Sequence, residues 1–405
     1  MKLKPDNFIP QLRRATKSVK RYSGALLTAS SLTLASLIAC QSGFISFPTS
    51  FWQQASAGPT APFVNSVQQV SITIGSGATS NTASISSVST SLSILVYQGI
   101  TFTAADDAAA TVACRATLTN STTVTATRNT SDTDSVTINV TVIECTSSLI
   151  NSIQYGTVAI TASTSGTASV SSVTTTVAAP FWLGASVTST QTSAFGTRGF
   201  TDCVLTNSTT ITATQGSSAY NSTTSFCLVE FKSNCIQSRQ AFTQVVTNGS
   251  TTNGQTITSV NTSNTILVFG GYYGASGQGR LSQSRIQLTS STNVNLVNGE
   301  AIDTLSRQVS YVVLEFVTGV LNSAPQQSTI SLVSTTSATA TLSPSVSTSK
   351  TMLAFLGAIS TGSSTSDNNQ QWQKVTLTNG TTVTGTVNTS GSRGQAVGFG
   401  AYEFK

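Results

Sequence analysis

The stretch "LTNSTTVTAT" at 118–127 returns as "LTNSTTITAT" at 205–214 and "LTNGTTVTGT" at 377–386. Either the chain is low in complexity or one structural element is written several times. The period decides. The opening Leu recurs as Leu118, Leu205, Leu288 and Leu377, and a Val-aliphatic-Glu marker or a close variant gives Glu144, Glu230, Glu315 and Glu403. A third marker, "SVSTSLSILVY" at 87–97, is matched by "SVTTTVAAPFW" at 172–182, "SVNTSNTILVF" at 259–269 and "SVSTSKTMLAF" at 345–355. "NSVQ" at 65–68, "NSIQ" at 151–154, "NCIQ" at 234–237 and "NSAP" at 322–325 stand at the joints. Four markers holding one period of roughly 86 residues mean four tandem copies, because biased composition alone does not keep phase.

Within a copy the alternation is strand-like. "VSITI" at 70–74 and "VTINVTV" at 136–142 alternate apolar with Ser, Thr or Asn, the pattern of a half-buried strand. Thr suits the exposed face of a pleated sheet. The quoted stretch then reads as the end of one strand, a tight turn and the next strand. Asn379-Gly380 supplies the usual two-residue hairpin choice. About six strands per copy are expected, and no helix after the leader. The fold expected is all-β: four tandem antiparallel β-sandwiches resembling immunoglobulin-like modules, with small barrels or jelly rolls as alternatives. The segments are 64–148, 149–233, 234–320 and 321–405. Joints of a few residues predict a stiff string, a rod of about 120–150 Å.

The 405 residues carry 19 basic and 13 acidic side chains and no histidine. The missing histidine removes the commonest general base and metal ligand. Seven basic residues lie in the first 21 positions beside one acid, so from residue 41 onward twelve basic face twelve acidic residues. A neutral body gives no phosphate-tracking surface, and no nucleic acid is expected as a partner. The basic start, the uncharged "YSGALLTASSLTLASLIA" at 22–39 and Cys40 have the layout of a secretory signal. Alternatives are an uncleaved anchor or ordinary secretion. The ending "LIAC" (Leu37, Ile38, Ala39, Cys40) resembles the bacterial lipobox. That resemblance implies a signal peptide over 1–39, a lipid on Cys40, a tether over 40–63, and a place in the cell envelope on a membrane anchor.

Candidate residues follow from the repeats. Arg115, Asp202, Arg285 and Lys374 stand three before the marker Leu. Cross-strand ion pairs Arg115–Glu144, Arg285–Glu315 and Lys374–Glu403 are expected, and Asp202 breaks the pattern opposite Glu230. Cys114–Cys145 and Cys203–Cys227 disulfides suit an exported chain, with Cys235 left over; buried thiols are the alternative. Asp106-Asp107, Asp132 and Asp134 are read as solvated turns and not a calcium site. Between the third and fourth strands the copies differ most. Phe195, Arg198, Tyr272, Tyr273, Arg280 and Trp372 are candidates for a recognition surface for a glycan or protein ligand, or else caps on the fold. No nucleophile–base–acid arrangement, metal site or cofactor motif is evident, so a non-enzymatic surface lipoprotein for adhesion, ligand binding or envelope scaffolding is expected. The "SIQ" at 152–154, "LTNSTTVTATR" at 118–128 and "VEF" at 229–231 also resemble repeats of phage tail-fibre and other virion proteins, which implies a structural or host-recognition role in a virion as the alternative.

Overall fold

The computed structural model describes residues 62–103, 108–189, 199–246, 251–274, 283–299, 307–360, 372–388 and 394–405. Cys40, Asp106, Asp107, Phe195, Arg198 and Arg280 lie outside them. The first repeat forms β1 (Val64–Ile74), β2 (Ser80–Ser84), β3 (Ser93–Phe102), β4 (Cys114–Asn120), β5 (Thr123–Arg128) and β6 (Val136–Cys145). The second forms β7 (Ile150–Ile160), β8 (Ser165–Ser169), β9 (Ala178–Val187), β10 (Thr201–Asn207), β11 (Thr210–Gln215) and β12 (Ser222–Phe231). The third forms β13 (Ile236–Val246), β14 (Thr252–Thr256), β15 (Thr265–Gly274), β16 (Ser284–Ser290), β17 (Asn293–Asn298) and β18 (Arg307–Phe316). The fourth forms β19 (Gln326–Ser331), β20 (Ser337–Thr341), β21 (Thr351–Ser360), β22 (Gln373–Asn379), β23 (Thr382–Val387) and β24 (Gln395–Glu403). Against the expectation of no helix, one short α-helical turn, α1 (Ala109–Val112), is present.

The opening stretch is a hairpin, as its composition predicts: β4 pairs with β5, and Asn120 stands opposite Thr123. The turn chemistry differs from the expected Asn-Gly pair. Asn379 pairs with Thr382, so the two turn residues are Gly380 and Thr381. The Asn closes the turn from the strand end, its side-chain oxygen accepting the backbone N–H two residues on. Asn120, Asn207 and Asn379 do this to Thr122, Thr209 and Thr381 at 2.9 Å each, and Ser290 does it to Thr292 at 3.2 Å.

The strands form four six-stranded antiparallel sheets, and each sheet is shared between two repeats. Their orders are β1-β6-β3-β22-β23-β20, β2-β5-β4-β9-β12-β7, β13-β18-β15-β10-β11-β8 and β14-β17-β16-β21-β24-β19. The first, third and sixth strands of a repeat make one half-sheet, and the second, fourth and fifth make another. The second half joins the first half of the next repeat, and the fourth repeat joins the first. The expected string of separate sandwiches and its rod therefore do not form. The described residues between 62 and 405 close into a propeller-like ring of four sheets. The physical reason is the edge strand: a three-stranded half-sheet leaves an open edge on its third or fourth strand, and pairing with the neighbour removes it.

Each seam is a single paired position. Arg115 meets Gly184, Asp202 meets Gly271, Arg285 meets Gly357 and Lys374 meets Gly99. The four glycines have φ between 89° and 102°. A Cβ on any of them would collide with the neighbour's carbonyl oxygen, that of Cys114, Thr201, Ser284 or Gln373. Only glycine allows this approach. Two residues earlier sit Tyr97, Trp182, Phe269 and Phe355, whose rings contact edge-to-face in a closed cycle with centroids 4.8, 6.2, 5.7 and 5.6 Å apart. This aromatic cycle plugs the middle of the ring, an arrangement that suits the ring quadrupoles.

The ends meet. Phe63 donates its N–H to the Lys405 carbonyl at 2.7 Å. Inside the chain the equivalent bonds run from Leu149 to Thr146, Cys235 to Lys232 and Val320 to Val317. The closure thus reproduces, without a covalent link, the turn that joins one repeat to the next. Pro62 and Phe63, read from the sequence as the end of the tether, belong to the ring: Phe63 is fully buried, and the Pro62 carbonyl accepts from Thr146 Oγ1 at 2.9 Å.

Candidate functional site

The repeated glutamates hold loops. Each accepts the backbone N–H of the residue after the Val in the third marker: Glu144 from Ser89 (2.7 Å), Glu230 from Thr174 (2.8 Å), Glu315 from Asn261 (2.8 Å) and Glu403 from Ser347 (2.9 Å). The second carboxylate oxygen accepts the hydroxyl of Ser66, Ser152, Ser238 or Ser323 on the first strand or just before it. The expected pairs Arg115–Glu144, Arg285–Glu315 and Lys374–Glu403 do not form. Glu and base lie in different sheets, because the fourth strand of each repeat leaves with the neighbour. A Gln two residues after each of the first three Ser grips the same loop with both amide ends. Gln68 holds Ser86, Gln154 holds Ser171 and Gln240 holds Thr258, while Gln326 holds Ser343 and Pro344. The third joint is therefore aligned on Ser238 and Gln240, three residues beyond "NCIQ". In the fourth copy Gln326 lies one residue later than the others.

The basic residues turn to the neighbouring repeat. Arg115 donates to Ser186 and Ser225, and Lys374 Nζ donates to Asn139 at 3.4 Å. Asp202, at the same place in the second repeat, is fully buried and accepts from Ser310 (2.6 Å), Gln308 (2.9 Å) and the Thr214 N–H (3.0 Å). Burial raises its carboxyl above the ordinary range, against the pull of those donors. The side chains at 139, 225 and 310 match each seam residue in turn. At the last seam the matching position is Gly398, and Arg285 instead reaches Gln287 on its own strand.

All five cysteines after Cys40 are buried free thiols, so neither Cys114–Cys145 nor Cys203–Cys227 is formed. Cys114 and Cys145 lie on β4 and β6, Cys203 and Cys227 on β10 and β12; in each case the two strands belong to different sheets. They occupy packing positions. Cys145 stands where the other copies place Phe231, Phe316 and Phe404, and Cys235 stands where they place Phe63, Leu149 and Val320. Burial pushes the Cys114 and Cys227 thiols up to about 12 and Cys235 up to about 11.

Of the aromatics expected at a recognition surface, Tyr272 and Trp372 are buried against Phe200, at centroid distances of 4.7 and 4.8 Å. They are packing, and Tyr273 is half-buried beside Tyr272 on β15. Asp132 and Asp134 lie half-buried in the loop before β6. Asp132 accepts from the Thr133 N–H and Asp134 from Thr103. Arg128, not among the residues the sequence singles out, is buried and donates to the carbonyls of Gly75, Ala78, Thr111 and Asp134, tying three loops of the first repeat together.

At the seam between the second and third repeats a cavity of about 200 Å³ opens, which no residue pattern in the sequence marks. Pro180, Leu205, Arg239, Ala241, Phe242 and Tyr311 line it. Strand register shows why it is open here. Ala241 aligns with Gln69, Tyr155 and Gln327 of the other copies. Those side chains cross to the neighbouring repeat. Gln69 bonds both backbone groups of Leu377, Gln327 accepts from the Leu288 N–H, and Tyr155 donates to the Ser93 carbonyl at 2.6 Å. Alanine cannot reach. Two residues earlier, Arg239 replaces Val67 and Ile153, with Pro325 at this register in the fourth copy. Its Nε and Nη2 are buried and have no hydrogen-bond partner among the described residues. Burial lowers its pKa from the ordinary arginine value. A buried guanidinium edge without an acceptor is costly to hold, and such a group in a cleft is a binding-site signal. Comparison with known proteins returned no match, whether to a family model, a curated protein or a solved structure.

Proposed function

We propose that this chain is a non-enzymatic surface lipoprotein that presents a closed ring of four β repeats for ligand binding in the cell envelope. Each repeat is read as a two-layered, sandwich-type unit whose layers are shared with its neighbours. One observation carries the proposal: Phe63 meets Lys405 at a single corner. The described chain enters the ring beside Lys405, so a tether from Cys40 joins the ring at Pro62 and Phe63. The lipid on Cys40 and its membrane are partners in this proposal, and no cofactor is part of it. Labelling the chain with an alkyne palmitate in a bacterial host tests it. Label should appear in the wild type, and both Cys40→Ser and globomycin should abolish processing. An unlabelled, unprocessed chain would reject the anchor and turn attention to the virion alternative.

A further inference from the structure

We infer that the open seam between the second and third repeats is a binding pocket for a small carboxylate with an apolar body. The inference rests on the ligand-binding reading above and names its chemistry. Two departures from the repeat coincide on one strand and act on one space. Ala241 removes the side chain that fills the seam elsewhere, and Arg239 puts a charge where two copies have an aliphatic residue. Either change alone would leave a void or a buried charge, and together they make a cleft with a cation in its wall.

The shape of the charge selects the ligand. Nε–H and the adjacent Nη2–H lie on one edge of the guanidinium plane, parallel to each other. That edge matches the two oxygens of a carboxylate in a bidentate pair; it is closed to solvent in this structure, so the guanidinium turns towards the ligand on binding. Pro180, Leu205, Ala241 and Phe242 give the wall apolar surface, and Thr206 and Thr243 add hydroxyls beside them. Arg239 is the one charged residue in this lining, and a single cation balances one negative charge. A phosphate or sulfate dianion would keep an uncompensated charge out of water. The volume admits a compact acid and is below the usual range for larger organic ligands.

The test is calorimetric titration of the full chain with benzoate and 3-phenylpropionate, using benzamide and sulfate as controls. The wild type should bind both carboxylates saturably and bind benzamide and sulfate at least about tenfold more weakly. Arg239→Val installs the first copy's residue, and Ala241→Gln installs the side chain that fills two other seams. Each should weaken carboxylate binding by about tenfold or more. Ala241→Gln should hold or raise the thermal midpoint, so its loss of binding is separable from misfolding. A peptide with a free C-terminal carboxylate, set against its amide, distinguishes a chain end from a free acid as the source of the same group. Equal binding by wild type and both variants, preference for sulfate, or no saturation at millimolar carboxylate would overturn the inference. None of these outcomes bears on palmitate labelling at Cys40, so the two proposals fail separately.

Discussion

Glu230, Glu315 and Glu403 are buried, Glu144 is half-buried, and each joins a loop to a first strand through one backbone N–H and one serine hydroxyl. Removing the carboxylate strands both donors. Glu315→Ala should cost about 2 kcal/mol in urea unfolding, whereas Glu315→Gln, which keeps an acceptor, should cost less than about 1 kcal/mol. The titration sign differs between two buried acids. Burial pushes Glu230 up, but bonds from Thr174, Asn151 and Ser152 outweigh it and hold the carboxyl below its ordinary value of 4.5. Its contribution is therefore complete above the unfolded-state pKa and is lost as pH falls through the depressed folded value. Asp202 is raised, so the folded state holds its proton more tightly than the unfolded chain, and stability falls as pH climbs from 3.8 through the raised folded value. Thermal midpoints across acid pH should show Glu230→Gln flattening the acid-side loss and Asp202→Asn flattening the opposing slope. The glutamate was visible in the sequence as a repeated charge. Its partner was not, because a backbone N–H carries no residue-type signal and a nearby base drew the pairing instead.

The seam element is an aromatic residue, one intervening residue and a glycine: Tyr97 to Gly99, Trp182 to Gly184, Phe269 to Gly271 and Phe355 to Gly357. The glycine admits the neighbour's backbone, and the aromatic joins the central cycle. Gly357→Ala drives a methyl into the Ser284 carbonyl at a positive φ. It should cost about 3 kcal/mol or more, read as a drop in the urea midpoint with an unchanged m-value if the ring opens as one unit. Arg128 acts at the same scale, since one guanidinium serves four carbonyls across three loops. Arg128→Met should cost about 3 kcal/mol by the same measurement, because four acceptors lose a charged donor.

At the scale of the whole ring, the closing contact copies the turn between repeats, so the break between Lys405 and Phe63 has no special standing. Thr146 reaches Leu149 through Ser147 and Ser148, and a two-residue link between Lys405 and Phe63 spans the same step. A permutant of residues 63–405 joined in this way and opened between Ser147 and Ser148 should fold with a thermal midpoint close to the parent's. Deleting residues 321–405 should abolish cooperative unfolding, because it strips the partner from β3 and from β16 and leaves two open edges. A string of independent sandwiches would respond the other way, tolerating the deletion and failing as a permutant.

Strand identity, the hairpin at 118–127 and the count of four repeats were legible in the amino-acid sequence, because alternation and turn chemistry act over a few residues. Partner choice was not. A strand edge carries the same N–H and C=O groups whether its neighbour lies in its own repeat or the next, and only the assembled ring decides which edges meet. That choice separated the expected ion pairs and disulfides, buried Tyr272 and Trp372, and opened the pocket beside Arg239. Ala241 and Arg239 are ordinary residues in a strand, and they become a site only where two repeats share a sheet.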